Sequence, residues 1–110
     1  LNDIYDYIAR MEKYPGMFTR DLSLDDLETL LHGYCSCLRV NKITEVYEGR
    51  MFSPADFSVW LHSATGWSAA LGFAAAIEEN TAGAEEAWSM FFKFVQQYRN
   101  ASGVGSAELL

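Results

Sequence analysis

The stretch 14-YPGMFTRDLSLDDLETLLHGY-34 carries the clearest fold signal in the chain. Ser23 is a natural helix N-cap, and Asp26, three residues on, is a shorter version of the capping-box acid. Leu27, Leu30, Leu31, Tyr34 and Leu38 follow at spacings of three and four, so they line one face of a helix. Gly33 costs about 1 kcal/mol relative to alanine inside that helix, which close approach of a second helix would explain. Upstream, Pro15 disfavours helical geometry at Tyr14, and Gly16 permits a turn. One helix therefore ends before the Pro-Gly pair and another begins at Ser23.

Working outward, the same patterns recur. Asn2 can cap a first helix from Asp3 to about Tyr14, with Asp3 and Asp6 at the positive end of its dipole and Ile4, Ile8 and Met11 as its buried stripe. Residues 39–52 are ambiguous: Ile43, Val46 and Tyr47 could make a short helical face, and Val40 and Ile43 with their β-branched neighbours a short strand. Ser53-Pro54-Ala55-Asp56 starts a third helix with Phe57, Trp60, Leu61 and Ala64 buried. After a break at Gly66, a fourth helix is expected to bury Trp67, Ala70, Leu71, Ala74 and Ile77. Thr81 could cap a fifth, from about Ala84 to Arg99, whose stripe is Trp88, Phe91, Phe92, Val95 and Tyr98. The expected fold is all-α, a compact single-domain bundle of about five helices over residues 1–100. The segment 101-ASGVGSAELL-110 reads as a flexible tail, a linker or vector remnant.

The chain has 110 residues, 15 acidic against 8 basic, a net charge of -7. That balance disfavours direct contact with nucleic acid, whose phosphates need cations, and with anionic membrane surfaces. It favours a cationic protein partner, because opposite fields steer encounter. No run approaches the roughly 18 apolar residues of a membrane span, and no secretory signal opens the sequence. Cys35 and Cys37 point to different faces if helical, which makes a disulfide geometrically poor. Two reduced thiols suit a reducing cytoplasm.

The chemistry that would mark an enzyme does not assemble in the sequence, and a non-enzymatic role is expected. His32 and His62 each follow a core leucine, at the margin of a buried face. No serine lies in a G-x-S-x-G turn, and Thr65-Gly66-Trp67 lacks the lysine and glycine spacing of a phosphate loop. No cofactor or metal set is evident. The remaining surface feature is acid: Asp21, Asp25, Asp26 and Glu28 at the second helix, Glu45 and Glu48 flanking Tyr47, and Glu78 and Glu79 before the last helix. Helix-dipole compensation and solvation explain part of it. The functional reading is a negative surface that covers a basic site on a partner, with Tyr14, Phe18, Tyr47 and Phe52 as aromatic anchors. The expected interface is Asp21, Asp25, Asp26, Glu28, Glu45, Tyr47, Glu48, Phe52, Glu78 and Glu79.

Tyr14-Pro15-Gly16-Met17-Phe18, followed by Ser23-Leu24, Leu27, Leu31 and Gly33-Tyr34 and by the later Trp88-Phe91-Phe92, resembles a group of small bacterial proteins. They share a P-G-M-aromatic turn, an S-L-x-x-L-x-x-x-L-x-G-Y helix and a late helix rich in Trp and Phe. Some resemble immunity proteins encoded beside polymorphic toxins, including those of contact-dependent growth inhibition. The resemblance implies a protein that binds and neutralises the nuclease domain of a cognate toxin, with an RNase preferred. The alternative is a non-catalytic intracellular adaptor or regulator that uses an apolar groove for a peptide or protein partner.

Overall fold

The computed structural model describes residues 3–109, with side chains through Ala101. Five α-helices form an all-α domain, and the described residues hold no strand. They are α1 (Ile4–Lys13), α2 (Leu24–Val40), α3 (Pro54–Thr65), α4 (Phe73–Glu79) and α5 (Ala84–Leu109), with a 3₁₀ turn at Pro15–Met17 between α1 and α2.

The helix starts follow from local chemistry. Asp3, not Asn2, caps α1: its carboxylate accepts the Asp6 N–H at 2.9 Å, and the Asp6 carboxylate accepts the Asp3 N–H at 3.2 Å. Asn2 itself lies outside the described residues. The reciprocal Asp3–Asp6 bonds satisfy two orphan donors at once, which sets the start one residue later than expected. Ser23 caps α2 and Ser53 caps α3, accepting the N–H groups of Asp26 and Asp56 at 3.2 and 3.1 Å. α2 ends in a left-handed residue, Lys42 (φ 55), and the Ile43 N–H reaches back to the Leu38 carbonyl at 2.9 Å. This is a Schellman closure with lysine in the place usually taken by glycine.

Three expectations for helix boundaries are corrected. The fourth helix does not resume at Trp67. Residues 67–72 are irregular, Leu71 is 82% exposed, Ala70 is exposed, and α4 starts at Phe73. The reason is Gly72, at φ 98 and ψ 168, which no helix accommodates. Nor does Thr81 cap α5. Its hydroxyl donates to the Ile77 carbonyl at 2.8 Å and closes α4, while Glu86 accepts the Ala82 N–H at the start of α5. At its far end α5 runs to Leu109, beyond the Arg99 stop read from the sequence. No proline interrupts it there.

α4 is only seven residues long, yet it packs on α2, α3 and α5 and so occupies the middle of the bundle. Phe57 of α3 is the hub of the core. It is fully buried and meets Phe52, Phe73, Phe91, Trp60 and Tyr98 at centroid distances of 5.2–5.7 Å. Its pairs with Phe73, Phe91 and Tyr98 are edge-to-face, an arrangement that adds stability beyond the area buried. Phe73, Phe94, Leu24 and Tyr5 join the buried set although the helical stripes above omit them, whereas Ala64 is exposed and Trp60 only half-buried.

Candidate functional site

The ten residues expected to face a partner divide into those the fold consumes and those it leaves free. Phe52 is 3% exposed and sits among Tyr5, Phe57 and Tyr98, so it belongs to the core and not to an interface. Tyr47 is half-buried, edge-on to Tyr5 at 5.4 Å. Glu45 reaches across to α1, where its carboxylate accepts the Ile4 N–H at 3.0 Å and the Tyr34 hydroxyl. It serves as a tertiary cap, satisfying an N–H that α1 cannot pair internally.

Glu28 does the same for α4. Its carboxylate accepts the Ala74 N–H at 3.3 Å and lies so close to Gly72 that a Cβ there would stand 2.3 Å from Oε2. Glycine at 72 therefore answers two needs, the positive φ and the approach of the carboxylate. His32 stands 3.6 Å from the same carboxylate. Burial raises the Glu28 pKa, with the Ala74 bond and His32 opposing and Asp25 adding to the rise. Burial likewise raises the Glu78 pKa, Asp25 raises it further, and the backbone of Leu24 opposes. Glu28 of α2 thus meets the start of α4, and Glu78 of α4 meets the start of α2. The two helices run antiparallel, each lending a carboxylate to the other's positive end.

The exposed carboxylates gather at that same end. Asp21 and Glu78 share a shallow hollow of about 380 Å³ with Arg20, Leu22, Ser23 and Ala84. Asp25 and Glu79 are exposed on the two helices that meet there. Arg20 is engaged by Asp26, which accepts both its backbone N–H at 3.1 Å and its Nε at 3.3 Å and is itself held below the ordinary aspartate range by that contact. Glu78 and Glu79 occupy the last turn of α4, where that helix's own dipole disfavours negative charge, so compensation of the α4 dipole does not account for them. Asp21 and Leu22 both have positive φ, 50 and 59, a left-handed pair at the mouth of the hollow. Leu22 there costs roughly 1–2 kcal/mol, whereas the short aspartate side chain of Asp21 tolerates the left-handed region. The connection leading in exposes Met17 (76%) and Tyr14 (44%). Met17 was missed because a single methionine in a turn carries no periodic signal; Phe18 folds back, half-buried, on Tyr7.

Glu48 keeps an exposed side chain, but its carbonyl accepts the Arg99 Nε at 2.8 Å. That bond is one of several that hold residues 41–53 to the bundle. The Tyr5 hydroxyl donates to the Arg50 carbonyl, the Tyr98 hydroxyl to the Met51 carbonyl at 2.7 Å, and the Arg50 N–H to the Arg99 carbonyl at 3.2 Å. Arg99 lies over the Tyr5 ring at 4.1 Å and Arg50 over Tyr98 at 4.5 Å. Gly49, at φ 90, is the point of closest contact, since a Cβ there would meet Arg99 Cγ at 2.6 Å. Burial pushes the Tyr98 hydroxyl up to about 12, so it remains a donor throughout the accessible pH range.

The other chemistry-bearing side chains are dispersed. His62 donates from Nδ1 to the Trp67 carbonyl at 2.7 Å, and Ser58 and Ser68 line the hollow beside it, which no carboxylate lines. Cys35 and Cys37 are both free, Cys35 half-buried and Cys37 exposed. Among the described residues no helix is long and apolar enough to cross a membrane, and no three His, Cys, Asp or Glu gather as a metal site.

No family model matches the chain, and neither a curated protein nor a solved structure matches it.

Proposed function

We propose that this protein is a non-enzymatic inhibitor of the immunity type, which binds a cognate bacterial toxin nuclease through the acidic end of the bundle. The observation that carries the reading is electrostatic. Asp21, Asp25, Glu78 and Glu79 are all exposed where α2 meets α4, and although burial is the main cause of the raised Glu28 and Glu78 pKa values, repulsion from Asp25 adds to both. A lysine or arginine from a partner would relieve that repulsion, and the basic cleft of a nuclease supplies such groups. Met17 and Tyr14, exposed on the adjoining connection, offer the apolar contact that rim charges alone lack. The strained Asp21-Leu22 pair supports the same location, because strain of this kind concentrates where function holds it in place. The resemblance of 14-YPGMF-18 and the Ser23-to-Tyr34 helix to immunity-type proteins supplies the particular role, and the free thiols suit a cytoplasmic one.

In this reading the protein covers the nuclease's substrate surface and touches no nucleic acid or membrane itself. The experiment is co-purification with the toxin domain encoded next to it, followed by an RNA-cleavage protection assay. Binding is expected to be fast at low salt and to weaken as salt rises. Reversing Asp21, Asp25 and Glu78 together to lysine should slow association by about tenfold or more. Absence of binding at low salt would sink the reading, and an unchanged association rate would move the interface elsewhere.

A further inference from the structure

Residues 43–47 run unbent from the end of α2 toward the Gly49 bend and belong to no helix or turn. From Thr44 onward their side chains alternate. Glu45 and Tyr47 turn inward to Ile4, Tyr34 and Tyr5. Thr44, Val46 and Glu48 face solvent, Val46 at 93% exposure. That is the period of a β-strand, in a segment rich in β-branched and aromatic residues. Among the described residues, no backbone hydrogen bond reaches the N–H groups of 44–48 or the carbonyls of 43–47. The flanks are nevertheless fastened by Tyr5, Tyr98 and Arg99. A fastened, unpaired strand edge is a template for another strand.

The sequence of this edge indicates which strand. Read antiparallel against itself about Glu45, 42-KITEVYE-48 places Lys42 opposite Glu48 at both ends and Thr44 opposite Val46 twice. Opposite charges and β-branched pairs are the favoured cross-strand neighbours. Lys42 occupies a left-handed position where glycine or asparagine is the ordinary choice, so a cation sits there against backbone preference. The two Glu45 carboxylates, opposite one another in this register, are each held by Ile4 and Tyr34 of their own chain. Ile43, Val40 and Met51, all exposed beside the edge, add apolar surface for the contact to cover.

We infer that residues 43–47 pair with the same residues of a second copy, forming a two-stranded antiparallel sheet across a two-fold axis, with Lys42 of each copy just outside the ladder and beside Glu48 of the other. Such an interface is isologous: each Lys42–Glu48 pair is made twice by one symmetry operation. It lies on a different face from the acidic end and stands independently of the inhibitor reading.

Sedimentation equilibrium of the full chain over the micromolar to sub-millimolar range tests this. A concentration-dependent monomer–dimer equilibrium is expected. Lys42→Glu and Glu48→Lys should each weaken it by about tenfold. Mixing the two variants should restore a dimer, now a heterodimer, because every 42–48 pair is again of opposite charge. Val46→Pro, which removes an N–H without touching a charge, should abolish pairing in any combination. A chain that stays monomeric at every concentration overturns the inference, as does a dimer that both charge variants leave intact. Restoration failing when the two variants are mixed overturns the register.

Discussion

At the start of α2, Asp21 and Asp25 stand in solvent beside a strained turn, while past its far end Glu45 is drawn against the Ile4 N–H and the Tyr34 hydroxyl. Both regions carry carboxylates next to aromatic residues, and both look alike as sequence. They differ in what lies across from them. Glu45 faces the unpaired N–H of a helix start and a phenol, so its charge is absorbed by the fold. Asp25 stays exposed, and among the described residues no donor bonds its carboxylate, so its charge is left over. An acidic residue is available to a partner only when the fold has no donor for it, and that depends on the neighbouring element rather than on the residue.

The sharpest way to break this contrast is at Phe52, which follows Glu45 by seven residues in sequence but lies inside the core in space. Phe52→Ala is expected to cost about 3–5 kcal/mol in urea unfolding, as a truncation at a buried aromatic does. A cost under about 1 kcal/mol would return Phe52 to the surface role. Next in size is Glu45→Ala, which leaves the Ile4 N–H and the Tyr34 hydroxyl without their acceptor and should cost about 1–3 kcal/mol. The matching change at the other end, Asp25→Ala, should stay within about 0.5 kcal/mol. Equal costs at the two positions would erase the distinction between absorbed and free carboxylates.

The pH dependence of stability sharpens it further. Folding raises the Glu28 and Glu78 pKa values above the ordinary 4.5, chiefly by burial. Both therefore hold protons more tightly folded than unfolded. Their contribution is full below pH 4.5 and is lost as pH rises through their folded values. Asp26 has the opposite sign: Arg20 holds it low, so its contribution is present above 3.8 and is lost as pH falls through its folded value. Urea midpoints measured across this range should decline less with rising pH in Glu28→Gln and less with falling pH in Asp26→Asn. Identical pH profiles for the variants and the parent would show that neither environment shifts its carboxyl. The smallest effect belongs to Asp21→Gly, which relieves a positive φ and should raise stability by about 0.5 kcal/mol or less while weakening any basic partner.

Much of the helical frame was legible in the residues. Ser23, Ser53-Pro54 and the Trp88-to-Tyr98 stripe mark three helices by short-range rules of capping and period that act within one turn. The 67–79 region was misread because its apolar spacing continues across Gly72, and spacing carries no information about a backbone angle. The partner surface was legible only as a set of charges. Asp21, Asp25, Glu78 and Glu79 remain exposed there, whereas Glu28, Glu45, Tyr47 and Phe52 are taken up by caps and core. Residues 39–52 looked like either a helix or a strand, and the ambiguity has a physical source. The segment has a strand's alternation, but the described residues offer it no strand to pair with.

What the sequence determined by itself was local: helix periods, N-caps, the Pro-Gly turn, the net charge of -7 and the strand-like alternation after α2. What only the tertiary structure decided was which orphan N–H each carboxylate would answer, and which aromatic would close the core. Capping and periodicity act over three or four residues, so the chain spells them out directly. The contacts of Glu28 with Ala74 and Glu45 with Ile4 join residues more than forty positions apart. They exist because packing α4 against α2, and the 41–53 segment against α1, brings a carboxylate to a helix start that no local residue could satisfy.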